Sequence, residues 1–203
     1  MTNQGKPTYA TPVNRARRTF SKALLAGGIA GTFATHAGAQ SGSKYGIEGV
    51  QAPEIELDYW IDGDGKPTSF SVHEQRGKWV FLKCFQDWCP GCHSSGFPTL
   101  QKFSEAYHGH PKVAIAAIQT VFEGFGSNVQ DDVRKNQLRY ELPVPMGHDA
   151  GDPDGDHRSS VMRDYRTGGT PWLILINPEG VVVFNDFRVD SERLIEYIGE
   201  QVG

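Results

Sequence analysis

Between residues 79 and 85 the chain reads Trp-Val-Phe-Leu-Lys-Cys-Phe, and shortly after comes Cys89-Pro90-Gly91-Cys92. The first segment is nearly continuous in apolar side chains, so it reads as an interior strand covered on both faces, with Lys83 as the exception. Beyond the cysteines, Phe97, Leu100, Phe103 and Tyr107 recur at three- and four-residue steps, the spacing of one helix face. Two cysteines therefore sit where a buried strand hands over to a helix. That arrangement restricts the chain to architectures in which helices pack on a sheet.

Three cysteines are too few for a disulfide scaffold, and the spacing of Cys89 and Cys92 reads as redox or metal chemistry. A thiolate is the attacking species in disulfide exchange, and a free cysteine is mostly protonated at neutral pH. At the first turn of a helix, unpaired backbone N–H groups and the positive end of the helix dipole favour the anion at Cys89. Pro90 suits that turn because its missing N–H would find no helical partner there. Cys92, one turn on, is placed to attack a mixed disulfide at Cys89 and release a reduced partner.

The remaining pattern is that of alternating strands and helices. Residues 55–61 alternate apolar and polar, residues 62–65 (Asp-Gly-Asp-Gly) form a turn, and residues 68–72 complete an N-terminal hairpin. Residues 113–118 read as another buried strand and residues 128–139 as a helix. Residues 142–146 carry two prolines, which confines them to a short edge strand. A short helix is expected over 161–165. Strands over 172–176 and 181–184 are joined by Asn177-Pro178-Glu179-Gly180, and a closing helix is capped by Asp190 or Ser191. The sum is an α/β chain with a central mixed sheet flanked by helices on both faces, and no internal repeat.

At 203 residues and 38% hydrophobic, the chain can bury one good core. Its net charge of −4 is unevenly spread: residues 1–39 hold Lys6, Arg15, Arg17, Arg18 and Lys22 and no acid, leaving 15 basic against 24 acidic side chains in residues 40–203. A body of net charge −9 repels phosphate backbones, which argues against nucleic-acid binding. The basic segment precedes a Gly/Ala-rich apolar stretch over 23–34 and then Ala37-Gly38-Ala39, a small-x-small cleavage signal. Arg17-Arg18-x-Phe20-x-Lys22 resembles a twin-arginine signal, and the apolar stretch is too short and too glycine-interrupted to span a bilayer. The expected organisation is a signal peptide over 1–39 cleaved after Ala39, a Gly/Ser-rich linker over 40–48, and one domain over 49–203 that is soluble in a periplasm, where disulfides persist.

Trp88-Cys89-Pro90-Gly91-Cys92 after a buried strand resembles the active site of the thioredoxin superfamily. The distal segment agrees: residues 165–171 (Tyr-Arg-Thr-Gly-Gly-Thr-Pro) before the 172–176 strand are similar to the part that carries that family's cis-proline. Ala52-Pro53, the turn over 63–66 and Gly77-Lys78 resemble the exported TlpA/ResA-type subgroup. The resemblance implies a thioredoxin-like fold and a thiol-disulfide oxidoreductase, acting as a reductase, whose Cys89 is the nucleophile and Cys92 the resolving thiol, joined by a disulfide when oxidised. It further implies that Thr170 and Pro171, with a cis peptide between them, face the pair and receive the substrate backbone, with Trp88 and Lys83 in support. No cofactor or metal is implied. The partners implied are exported thiol or disulfide proteins, such as cytochrome precursors or copper-site proteins, and a membrane redox partner.

Three departures from that family are visible, one being the Pro90-Gly91 pair between the cysteines, which is uncommon among well-known members, so the family's redox potentials do not carry over. Lys83 stands where relatives carry a buried acid or amide; it either tunes the cysteine pair, accepting the Cys92 proton or holding its thiolate, or snorkels to the sheet end. The helix proline, usually five residues after the second cysteine, is Pro98 at six, which predicts a one-residue bulge near Ser95 and Gly96. Other candidates carry plainer readings. Cys84 is a small buried hydrophobe, His93 a solvated helix residue, Glu123 a loop carboxylate in water, and the acidic stretch 149–156 a solvated turn lacking the pattern of a calcium loop. The alternatives are a copper-binding metallochaperone using Cys89, Cys92 and a histidine such as His148, and, more remotely, a peroxiredoxin-like peroxidase, for which the Pro-x-x-x-Thr-x-x-Cys pattern is missing.

Overall fold

The computed structural model describes residues 44–203, so the expected leader and the linker up to residue 43 lie outside it. Six strands form one sheet in the order β1-β4-β3-β2-β5-β6. They are β1 (Tyr59–Ile61), β2 (Trp79–Phe85), β3 (Val113–Thr120), β4 (Met146–Asp149), β5 (Trp172–Ile176) and β6 (Val182–Asp186), with helices α1 (Phe97–Tyr107), α2 (Asp131–Arg139), α3 (Ser160–Asp164) and α4 (Ser191–Val202). β2, β3 and β4 run parallel, while β1, β5 and β6 are antiparallel to their neighbours. This is the thioredoxin-like α/β arrangement.

β2 is buried along its whole length, as its continuous apolar run demands. Its side chains alternate between two cores. Phe81 and Phe85 face the side where α1, α2 and α4 bring Leu100, Phe103, Val133 and Ile198. Val80, Leu82 and Cys84 face the other, with Val161 from α3, Trp172, and Trp60, Phe70 and Val72 from the N-terminal segment. Phe81 stacks on Phe103 with ring centroids 4.1 Å apart, fixing α1 over the centre of the sheet.

Two elements differ from the sequence reading. The N-terminal hairpin turns as expected, with Asp62 N–H donating to the Lys66 carbonyl at 2.8 Å, but it closes through a single bridge between Ile61 and Pro67. Residues 68–72 leave the ladder to bury Phe70 and Val72 in the second core, and β1 pairs with β4 instead. Likewise the fourth strand begins at Met146, just past Pro145, and is interior because β1 covers it. Prolines end the approach to that strand without occupying it. At the opposite edge, β6 is covered by the entering chain: Gly49 N–H donates to the Val182 carbonyl at 2.8 Å, and Val182 N–H to the Val50 carbonyl at 2.9 Å.

Candidate active site

After β2 the chain turns through Asp87 and Trp88, and the helix starts at Pro90. Cys89 is its N-terminal cap: its carbonyl accepts from the N–H of Cys92 at 3.0 Å, and its Sγ accepts from the same N–H at 3.3 Å. The sulfur thus takes the place that a capping oxygen occupies elsewhere. Next comes a π-helical turn over Cys92–Gly96, and regular helix resumes at Phe97 with Pro98 in its first turn. The bulge expected from the offset of Pro98 is this π turn, which absorbs one extra residue and keeps Phe97, Leu100, Phe103 and Tyr107 on the core face.

The peptide bond between Thr170 and Pro171 is cis. The Thr170 carbonyl accepts from the Cys89 thiol at 3.5 Å, and Pro171 lies over the helix start. The fit depends on glycine: a β-carbon on Gly91 would stand 3.2 Å from Pro171 Cδ, and one on Gly96 would stand 2.9 Å from Pro171 Cβ. The same point on Gly96 is 3.5 Å from Cε of Lys83, which therefore lies beneath the π turn. Lys83 is 3% exposed. Trp88, 44% exposed, flanks the cysteines, with its indole N–H donating to the Gln86 side-chain oxygen at 3.4 Å.

The two thiols are driven apart in acidity. Cys89, 7% exposed, is lowered from 9.0 to about 6 by hydrogen bonding from the Cys92 thiol, then by the Thr170 side chain and the backbone N–H groups of Cys92 and Gly91. Cys92 is fully buried and is pushed well above the ordinary thiol range, by burial first and by the neighbouring Cys89 second. Burial also lowers Lys83, from 10.5 to about 8, partly offset by the negative forms of Cys84, Cys92 and Cys89. With these shifts the site favours a thiolate at Cys89 and a protonated, fully enclosed thiol at Cys92.

The AhpC/TSA family profile matches residues 49–185, more than half of the chain and all of the elements just described up to β6. The chain belongs to the AhpC/TSA family. No curated protein sequence matches it at a significant level. Among solved structures, a thioredoxin-like superfamily protein is 29% identical with a TM-score of 0.66, the alignment covering 75% of this chain and 96% of that one. A thiol-disulfide isomerase from Corynebacterium glutamicum is 28% identical with a TM-score of 0.63, covering 75% and 97%. The thioredoxin domain of a thiol-disulfide oxidoreductase from Bacteroides vulgatus shares the fold at 23% identity and a TM-score of 0.56, covering 77% and 99%.

Behind the cysteines of this AhpC/TSA chain lies a polar scaffold that sequence periodicity does not reveal. Asn128 is buried and ties three loops together: its side-chain oxygen accepts from Asp87 N–H at 2.8 Å, and its amide donates to the Gln86 side chain at 3.2 Å and to the carbonyls of Glu123 and Gly124 at 3.1 and 3.0 Å. Asp87 in turn accepts from Asn136 at 2.8 Å and pairs with Lys135 at 2.8 Å. His93 is not merely solvated: Nδ1 lies 2.6 Å from the Tyr140 hydroxyl, and Nε2 bonds the Asp87 carbonyl. Of its members, Gln86, Asp87 and His93 lie next to the motif in sequence, whereas Asn128, Lys135, Asn136 and Tyr140 come from a distant segment.

Cys84 points into the second core, on the opposite face of the sheet from the pair, and burial raises it to about 12. Glu123 is exposed, as expected of a loop carboxylate. Asp149 differs from the expected solvated turn: it ends β4 buried and accepts from the N–H groups of Ser160 and Val161 at 3.1 and 2.8 Å, anchoring the start of α3. His148 lies on β4, two strands from β2. Among the described residues, no three His, Cys, Asp or Glu side chains gather as a metal site.

Proposed function

We propose that this chain is an exported thiol-disulfide oxidoreductase of the TlpA/ResA type, exchanging disulfides with partner proteins through Cys89 and Cys92. The observation that carries the reading is the opposed acidity of the two thiols at one helix start beside the Thr170–Pro171 cis peptide: Cys89 lowered to about 6, Cys92 fully enclosed and pushed well above the ordinary thiol range. The Cys89 thiolate attacks one sulfur of the partner's disulfide, and the other partner sulfur leaves. Cys92 then loses its proton and attacks Cys89 Sγ. The Cys89–partner bond breaks as the Cys89–Cys92 disulfide forms, and the partner departs with two electrons. Thr170 and Pro171 form the wall along which the partner's extended backbone lies.

The reaction is written in the reducing direction, in which the Cys89 thiolate opens the partner's disulfide; the potential of the pair sets the direction. The basic leader with its twin-arginine pattern supports export to a periplasm. The partner class is then exported thiol or disulfide proteins, cytochrome precursors and copper-site proteins among them, with a membrane reductant to recharge the pair. The family also includes peroxidases, but Leu82 and Gln86 stand where the Pro-x-x-x-Thr-x-x-Cys pattern requires proline and threonine ahead of Cys89.

Trapping tests the assignment. Cys92→Ser is expected to accumulate mixed disulfides with partner proteins and Cys89→Ser to accumulate none; the reverse pattern reverses the roles. The equilibrium midpoint in thiol buffers tests the direction: a value near or below about −250 mV marks a reductase, and one near about −120 mV marks an oxidant.

A further inference from the structure

Asp87, just ahead of Trp88 and Cys89, has each of its polar groups engaged. Its N–H donates to the Asn128 side chain at 2.8 Å, its carboxylate accepts from Asn136 and Lys135, each at 2.8 Å, and its carbonyl is bonded by Nε2 of His93. The first three partners come from α2 and the loop ahead of it, whereas His93 belongs to the helix start, next to Cys92. The backbone N–H of His93 also donates to the Cys89 carbonyl at 3.3 Å. His93 therefore grips the chain on both sides of Trp88, through its ring at Asp87 and through its backbone at Cys89. One arrangement of the neutral ring satisfies both nitrogens. A carbonyl only accepts, so Nε2 carries the hydrogen, and the bare Nδ1 accepts from the Tyr140 hydroxyl at 2.6 Å. Tyr140 is itself fixed, stacked on Phe97 with ring centroids 4.2 Å apart and accepting at its carbonyl from the Gln101 amide at 3.0 Å.

We propose that His93 is a positioning residue for the exchange reaction, clasping the Asp87 carbonyl so that Cys89 is held at the helix start, with Tyr140 setting the angle of the ring. This rests on the thiol-exchange reading of the site. Cys89 Sγ works only where it is placed: the Cys92 N–H reaches it at 3.3 Å, and it lies 3.5 Å from the Thr170 carbonyl. The turn over 86–89 carries it there. That turn is closed by the Cys89 N–H donating to the Gln86 carbonyl at 3.2 Å, the long end of the usual range. A turn closed by so long a bond takes its shape from what holds its middle, and Asp87 is in the middle. Without the clasp the Asp87 carbonyl loses its donor, the turn relaxes, and the sulfur drifts from the groups that favour its thiolate. No proton or electron passes through the imidazole; it acts through the placement of Cys89.

Two readouts on the reduced protein separate placement from stability. Iodoacetamide labelling of Cys89 across pH reads the thiolate, and the first coloured thiolate released from 5,5′-dithiobis(2-nitrobenzoate) reads its attack. His93→Phe keeps a ring against Phe97 and Tyr140 but neither hydrogen bond. In that variant the labelling midpoint is expected to rise and the attack at neutral pH to slow by about 10-fold. His93→Gln, whose amide N–H can reach the Asp87 carbonyl, is expected to recover most of both, and Tyr140→Phe to shift both in the same direction as His93→Phe by less. A role in packing alone would lower the urea midpoint and leave the labelling midpoint in place. If His93→Phe matches the wild type in labelling and rate, or if His93→Gln recovers neither, His93 does not position Cys89. Should His93→Phe not fold, Tyr140→Phe, which loses a single hydroxyl, carries the same test. If the wild type gives a first release but never closes its disulfide to give a second, the exchange reading fails, while the labelling midpoints still decide the clasp.

Discussion

Pro171 rests on the backbone of Gly96, with 2.9 Å between Pro171 Cβ and the place where a β-carbon on Gly96 would be. Alanine there must push the cis-proline loop away from the helix start, and Thr170 moves with it. Gly96→Ala is expected to cost about 1–3 kcal/mol by overpacking, despite the better helix propensity of alanine. It is also expected to raise the Cys89 pKa, because Thr170 is one of the groups holding the thiol down. Urea melts and thiol titration of the variant check both effects.

Alkylation of the reduced protein by iodoacetamide is expected to label Cys89 with a midpoint near pH 6, and to leave Cys84 and Cys92 untouched at neutral pH. A lowered thiol pKa also carries a stability term. It is present in full above 9.0 and is lost as pH falls through about 6, where the folded Cys89 takes up its proton. Peptide mapping of the labelled sites across pH checks the assignment.

The buried ammonium of Lys83 has the opposite consequence for stability. Its folded pKa of about 8 lies below the ordinary 10.5, so folding is penalised in full below about pH 8 and relieved as pH rises toward 10.5. Lys83→Met is therefore expected to stabilise the reduced protein by up to about 3 kcal/mol near neutral pH, with the gain fading in alkali. Denaturant unfolding of both proteins at two pH values measures the difference.

Removing the Asn128 side chain strands the Asp87 N–H and the Glu123 and Gly124 carbonyls that it satisfies. Asn128→Ala is expected to destabilise by about 2–4 kcal/mol and to speed amide exchange in the Asp87–Trp88 turn. Hydrogen exchange at those amides distinguishes this local loosening from a general loss of stability.

The parts of this site that sequence makes legible are those with a repeating or spaced signature. The apolar run of β2, the Cys89–Cys92 spacing and the helix-face positions from Phe97 to Tyr107 each follow from periodicity, and the offset of Pro98 locates the π turn. Pro171 is legible from its resemblance to a known segment, not from any rule of spacing. The N-terminal pairing is hidden because residues 68–72 alternate as a strand does, while the second core draws Phe70 and Val72 inward. Asn128, Asp87 and His93 act through single hydrogen bonds between loops distant in sequence, and such contacts leave no period to detect.

The π turn separates two demands that would otherwise compete along one helix. In an unbroken α-helix each inserted residue rotates everything after it by about 100°, so an extra residue behind Cys92 would swing Leu100 and Phe103 off the sheet or turn the sulfurs away from Pro171. Here the wide turn takes up that angle locally. The sulfur end answers to Thr170 and Pro171, the long end answers to Phe81 and the rest of the core, and Gly96 is the joint between them. Shortening this joint by one residue would leave the chain able to satisfy its chemistry or its packing, but not both.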